Sequence, residues 1–174
     1  MSVILPGSYD PPTVGHLEII KEAARREGEV YAVIFVNPNK KCRFSLEDRA
    51  SMLMLLTEGL DNVMVSYSTG RVVDYMREHG IERIIKGYRN DQDLEWERVQ
   101  AEYNLKHGGY ETELIKCKEQ FANISSTLVR DRLERGEDIS DLVPKAVLDY
   151  IQGAKFSDTG DNNRKEIIDN ERKN

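Results

Sequence analysis

Short apolar runs rich in β-branched residues alternate along this chain with segments of helical period, and no other feature constrains the fold as strongly. The runs cover 3–5, 30–36, 63–67, 83–86 and 113–117, and helical patterns cover 15–27, 45–59, 71–79, 93–106 and 125–135. Strands that alternate with helices of about 10–15 residues are joined by right-handed crossovers, and these build a parallel sheet. The expectation is a single doubly wound, Rossmann-like α/β domain, a five-stranded parallel sheet with helices on both faces. At 174 residues the chain has room for one such domain and a tail. We place the domain at 1–152 and a polar tail at 153–174, where Phe156, Ile167 and Ile168 are the large apolar residues.

Local punctuation agrees with this division. Leu17, Ile20 and Ala24 share one face of the first helix, and Gly28 is positioned to end it in a left-handed conformation. Ser45 with Asp48 is a capping pattern that starts the second helix, and Gly80 stops the third. Pro144, in Asp141-Leu142-Val143-Pro144, falls early in a last helix that carries Val147, Leu148 and Ile151.

In an open parallel sheet the ligand lies at the carboxyl ends of the strands, where strand order reverses. The unusual polar clusters of this sequence all follow strands. After the first comes Gly7-Ser8-Tyr9-Asp10-Pro11-Pro12-Thr13-Val14-Gly15-His16. Its glycines let backbone approach a ligand, and the helix that follows aims N–H groups and a positive dipole end at a phosphate, with the His16 imidazole in the first turn. Asn37-Pro38-Asn39-Lys40-Lys41 follows the second strand, and its lysines suit a phosphate as point charges. Lys86-Gly87-Tyr88-Arg89 follows the fourth, and reads as a strand-end turn that presents two cations beside a glycine. Ile124-Ser125-Ser126-Thr127 precedes the helix with Arg130, a second anion-ready N-terminus. Glu97, within the helix 93–106, can accept from a substrate amino or hydroxyl group.

What is absent narrows the chemistry. There is no P-loop G-x-x-x-x-G-K-[ST], no Ser/His/Asp order for a covalent nucleophile, and no paired catalytic carboxylates at one strand edge. The net charge of −6 and pI near 5.2 argue against nucleic acid as a partner. No apolar run approaches the roughly 20 residues of a membrane span. The start of the chain does not read as a signal peptide, so the expected location is the cytoplasm. Cys42 and Cys117 lack metal or C-x-x-C spacing and read as reduced and incidental. His16, His79 and His107 are too dispersed for a transition-metal cluster, so any metal should enter with the substrate. Cations and helix N-termini around a histidine suit attack of one phosphate on the α-phosphate of a nucleotide, in which positioning and charge neutralisation supply the catalysis.

These motifs resemble the bacterial phosphopantetheine adenylyltransferases, within the nucleotidyltransferase superfamily that carries the (T/H)xGH signature. The resemblance rests on Gly7 to Pro11 with Thr13-Val14-Gly15-His16, on Asn37 to Lys41 followed by Phe44 to Arg49, on Lys86 to Arg89 with Asp93 to Glu97, and on Ile124 to Arg130. It runs from about Val3 to Ile151. It implies adenylyl transfer from ATP to 4′-phosphopantetheine, giving dephospho-coenzyme A and pyrophosphate in the penultimate step of coenzyme A synthesis. It further implies Mg²⁺ arriving with ATP, a homohexamer, and coenzyme A as an inhibitor. Carried over by motif, His16, Lys40, Arg89 and Ser126 would be catalytic. Ser8, Lys40, Val72 and Lys86 would bind phosphopantetheine. Ser8, Tyr9, His16, Gly87, Tyr88, Arg89, Glu97, Phe121, Ala122, Asn123, Ile124, Ser125, Ser126 and Thr127 would line the ATP site. Ser8 stands where Thr is usual and keeps the hydroxyl. Lys86 stands where Arg is commoner and gives up bidentate geometry. The competing expectations are an adenylyltransferase acting on nicotinate mononucleotide, which shares the Gly-His and Ile-Ser-Ser-Thr motifs, and a non-catalytic nucleotide or coenzyme A sensor on the same scaffold.

Overall fold

Val3, Ile4 and Leu5 are all buried, as a strand covered on both faces must be. They lie in β1 (Ser2–Gly7), the central strand of a sheet described, in this computed structural model, together with the rest of residues 1–154. The other strands are β2 (Glu29–Phe35), β3 (Val63–Ser68), β4 (Arg83–Tyr88) and β5 (Thr112–Lys116), in the spatial order β3-β2-β1-β4-β5 with every pair parallel. The five-stranded parallel sheet is therefore as expected, and strand order reverses between β1 and β4. The helices are α1 (Val14–Arg26), α2 (Leu46–Leu56), α3 (Val72–His79), α4 (Asp91–Gly108), α5 (Ser126–Arg135) and α6 (Lys145–Ala154). The expected polar tail lies, from residue 155 on, outside the described residues.

Alternation along β1 divides the core. Val3 and Leu5 join Ile34 and Ile85 under α1, α2, α5 and α6, where Ile20, Met52, Leu53, Val129 and Val147 meet them. Ile4, between them in sequence, faces the other way with Val33 and Ile84, against Tyr75 and Met76 of α3. Helices thus cover both faces, and α4 leans on α3, β4 and β5. The Asp141 to Pro144 segment also has a place in this scheme. Leu142 and Val143 are buried, and the Leu142 carbonyl accepts from Val14 N at 3.1 Å, one of the otherwise free N–H groups at the start of α1.

Two expectations about glycine need correction. Gly28 does not end α1 in a left-handed conformation. Extended Glu27 caps the helix and donates to the Ala23 carbonyl, while Gly28 N donates to Met1 O at 3.0 Å and leads straight into β2. Gly87 does not form a turn either, because β4 runs on through Tyr88, with Gly87 paired to Ile115. A Cβ on Gly87 would stand 2.9 Å from Ile19 Cγ1, so the glycine exists to let α1 press onto β4. Gly80, by contrast, ends α3 in the left-handed region as expected, at φ 65°. Gly87→Ala is expected to lower stability by about 1–3 kcal/mol through overpacking. An unchanged urea midpoint would show that α1 has slack at this contact.

Candidate active site

The strand-order reversal opens a crevice. The β1–β2 ladder extends from Ser2 to Gly7, whereas β1 pairs with β4 only at Val3↔Arg83 and Ile4↔Ile84. Beyond that point Lys86 Nζ donates to the Pro6 carbonyl at 3.1 Å, so a side chain takes over where the ladder stops. The chain then turns sharply through Ser8 to Thr13. Tyr9 adopts φ 48°, the Asp10–Pro11 bond is cis, and the Tyr9 hydroxyl donates back to the Leu5 carbonyl at 2.7 Å. The ring lies on Gly7, where a Cβ would approach it to 3.0 Å. Gly7 therefore serves the packing of Tyr9, and burial pushes the Tyr9 pKa upward, which keeps its hydroxyl a donor.

Thr13-x-Gly-His forms a reciprocal helix cap. Thr13 is the N-cap of α1 and accepts from His16 N at 3.4 Å, while Thr13 N donates to His16 Nδ1 at 3.0 Å. Histidine thus fills the place that Glu or Gln takes in an ordinary capping box. Because Nδ1 accepts a backbone N–H, the neutral ring carries its proton on Nε2, so His16 can act as a hydrogen-bond donor there. Burial, together with the charges of Lys86 and Arg89, lowers its pKa from the ordinary 6.5 to about 4. His16 therefore stays neutral throughout the physiological range.

A pH dependence follows from that shift. The folded state takes up the His16 proton near pH 4 and the unfolded chain near pH 6.5, so between these values the unfolded chain binds more protons. Stability conferred by the neutral ring is complete above about pH 6.5 and is lost as pH falls toward 4. The urea midpoint of the wild type is expected to drop more between pH 7.5 and 4.5 than that of His16→Asn. Equal drops in the two proteins would contradict the assignment.

Around His16 lies a cleft of about 390 Å³. Lys40 Nζ reaches Ser8 Oγ at 3.2 Å, which joins the post-β2 loop to the post-β1 turn. Lys86 Nζ stands 3.5 Å from Glu97 Oε1 on α4. Arg89 makes a bidentate pair with Asp93, at 2.7 and 3.2 Å. At the far wall Ser125 caps α5 by accepting from Leu128 N at 3.1 Å, and Ser126 Oγ donates to the Pro11 carbonyl at 2.8 Å. With Ser126 Oγ engaged in this way, free backbone N–H groups at the start of α5 remain to meet an anion.

Most of the expected site residues converge here. Ser8, Tyr9, His16, Lys40, Lys86, Gly87, Tyr88, Arg89, Glu97, Phe121, Ile124, Ser125, Ser126 and Thr127 all line the cleft. Ala122 and Asn123 do not form part of its wall, although they sit in the same connection. Val72, at the start of α3, packs with Tyr31, Phe35 and Tyr110 against the second core cluster and also lies outside the wall. The cleft contains residues to which the sequence reading assigned no role. Asp93 and Arg130 line it, as does Cys117, a free thiol whose pKa burial raises. Behind it, buried Arg49 donates to the Ser8 carbonyl at 2.9 Å, and Arg130, in the wall itself, donates to the Asp10 carbonyl at 2.7 Å. The signal for Arg49 was its place one turn after the Ser45 cap, but its partner is far away in sequence.

Among the described residues no group of three His, Cys, Asp or Glu could hold a metal ion. Lys40, Lys86, Arg89 and Arg130 line the cleft together with Asp10, Asp93 and Glu97, and the cations suit the oxygens of a polyphosphate. No helix among the described residues is long and apolar enough to cross a membrane.

The cytidylyltransferase-like family model matches residues 4–132, which span the sheet and the cleft. A protein of Corynebacterium efficiens named phosphopantetheine adenylyltransferase is 37% identical over 153 residues, covering 87% of this chain and 96% of that protein. One of the same name from Corynebacterium diphtheriae is 39% identical over 145 residues, covering 83% of this chain and 91% of its own length.

Proposed function

The chain belongs to the cytidylyltransferase-like family and, within it, to the phosphopantetheine adenylyltransferases; on that premise we propose that it transfers the adenylyl group of ATP to 4′-phosphopantetheine. The products are dephospho-coenzyme A and pyrophosphate, and the step is the penultimate one of coenzyme A synthesis. The observation that carries the reading is the convergence of His16, the Ser8–Lys40 pair and the Lys86–Arg89 stretch on one cleft at the β1/β4 reversal.

In this reading a phosphate oxygen of 4′-phosphopantetheine attacks the α-phosphorus of ATP directly and in line. The new O–P bond forms as the bond to the β-phosphate bridging oxygen breaks, and pyrophosphate carries away the electron pair. Ser8 and Lys40 hold the attacking phosphate, with Lys86 beside it. His16 donates from Nε2 to an α-phosphate oxygen as charge builds there, a role that its neutral, Nε2-protonated form suits. Arg89 leaves Asp93 for the polyphosphate, and the N–H groups that open α5 at Ser126 and Thr127 receive the departing pyrophosphate. Gly87, Tyr88, Glu97 and the stretch Phe121 to Ser125 form the ATP side. Ala122 and Asn123 would act through the backbone of that connection, and Val72 would meet the pantetheine arm at its outer end.

Mg²⁺ is read as part of the MgATP substrate, carried by the triphosphate. Coenzyme A, which contains the product, is read as an inhibitor of the same site, and the cytoplasm as the place of action. Self-association as a homohexamer is supported by the exposed apolar residues of α4, where Trp96, Val99 and Tyr103 are 64%, 51% and 45% accessible at helical spacing.

Direct attack is tested with ATP labelled at the α-phosphate. With 4′-phosphopantetheine present, label should pass to dephospho-coenzyme A. With ATP alone, no label should remain on the protein after denaturation. A labelled protein would indicate a covalent adenylyl intermediate and overturn the one-step mechanism.

A further inference from the structure

Asp10 lines the cleft but is only 2% exposed, and its carboxylate accepts from the backbone of the loop that follows β2. Oδ2 accepts from Arg43 N and Oδ1 from Phe44 N, both at 2.9 Å. The same residue is held from the opposite wall by Arg130, whose Nη1 donates to the Asp10 carbonyl at 2.7 Å and lies 3.7 Å from Oδ2. Arg43 and Phe44 end the loop that leaves β2 and carries Lys40. That loop is exposed from Asn37 to Lys41, and it folds on itself through Lys40 N to Asn37 O and Asn39 N to Asn37 Oδ1. The Asp10 carboxylate and the Lys40–Ser8 bond are the hydrogen bonds that fasten it to the β1 turn among the described residues.

Two successive backbone N–H groups on one buried carboxylate make a rigid anchor. Charge-assisted bonds of this kind are stronger than neutral ones, and a carboxylate buried without them would be costly. The anchor fixes the C-terminal end of the loop three to four residues from Lys40, on the turn that presents Ser8. We propose that Asp10 is a positioning residue for Lys40. It sets the loop so that the Lys40 ammonium stands at Ser8 before the acceptor phosphate arrives, and touches neither substrate itself. The inference rests on the reading above of Lys40 as a ligand of that phosphate.

The test is a double-substitution cycle on the full chain. Asp10→Asn keeps the shape but replaces one acceptor oxygen with a donor that faces a backbone N–H. It is expected to lower kcat/KM for 4′-phosphopantetheine by about 10- to 100-fold, the scale of a displacement near 1 Å, while KM for ATP moves by less than about threefold. In a Lys40→Ala background the same change should cost less than about threefold, because the group it positions is gone. A purely structural role would give the full loss in both backgrounds and would affect ATP equally, and that result overturns the proposal. If Lys40→Ala alone leaves activity intact, the reading of Lys40 falls and the proposal falls with it. The two failures are thus distinguishable.

Should Asp10→Asn fail to fold, hydrogen exchange on the wild type decides. The amides of Arg43 and Phe44 are expected to exchange at least about tenfold more slowly than that of Lys41. Exchange of all three at one rate would show that the anchor does not hold in solution and would overturn the proposal.

Discussion

His16→Ala is expected to lower kcat by about 10²- to 10³-fold, with KM for ATP changed by less than about threefold. Binding and catalysis respond differently to this loss. Lys86, Arg89 and the α5 N-terminus would all remain to hold the polyphosphate, so the ground state loses little. What disappears is a donor already oriented and already neutral, aimed where negative charge grows only as the bond to the α-phosphorus forms. Orientation comes from the backbone, through Thr13 N to Nδ1 at 3.0 Å, so it requires no reorganisation during the reaction. The substitution also removes half of the α1 cap, worth about 0.5–2 kcal/mol of stability. Unfolding midpoints should therefore be recorded beside the rates. A variant that stays folded at the assay temperature and turns over at the wild-type rate would remove His16 from the mechanism.

Lys40→Ala is expected to produce the second largest effect, and on the other substrate. Loss of about 2–3 kcal/mol from a charge-assisted contact corresponds to about a 30- to 150-fold fall in kcat/KM for 4′-phosphopantetheine. KM for ATP should stay near the wild-type value, because Lys40 lies on the Ser8 side of the cleft rather than beside Arg89 and α5. Initial rates with each substrate varied in turn distinguish the cases. If the loss falls on ATP instead, the two halves of the cleft have been assigned the wrong way round.

How far these assignments could be read from the chain itself varies with the range of the interaction. Strand and helix order was legible because it is written in local periodicity. So were the caps at Ser45 and Ser125, where acceptor and N–H lie three residues apart. The role of Thr13 lay within the same reach, but a rule that looks for Glu or Gln at the third helical position passes over His16. Gly87 was misjudged for a different reason. A glycine between cations reads locally as a turn, and its real cause is Ile19, 68 positions earlier and on another element. Asp10 was visible as a residue and illegible as an anchor, since its partners lie 33 and 34 positions away. Gly28 shows the converse. A glycine after a helical run fits a left-handed cap, but entry into β2 at the very next residue leaves no room for one.

Val72 is carried over by motif alone, since it packs, half-buried, at the start of α3 against the second core cluster and forms no part of the cleft wall. The cleft residues that converge most closely come from strand ends and helix starts, whose positions the sheet itself determines.

Adenylyl transfer to 4′-phosphopantetheine is tested by the identity and amount of product. The purified chain should be mixed with MgATP and 4′-phosphopantetheine, with nicotinate mononucleotide as the alternative acceptor, and both pyrophosphate and the nucleotide product quantified. Dephospho-coenzyme A and pyrophosphate are expected in equal amounts with phosphopantetheine, and neither with nicotinate mononucleotide. Pyrophosphate release with nicotinate mononucleotide alone, or tight binding of ATP and phosphopantetheine without turnover, would overturn the assignment.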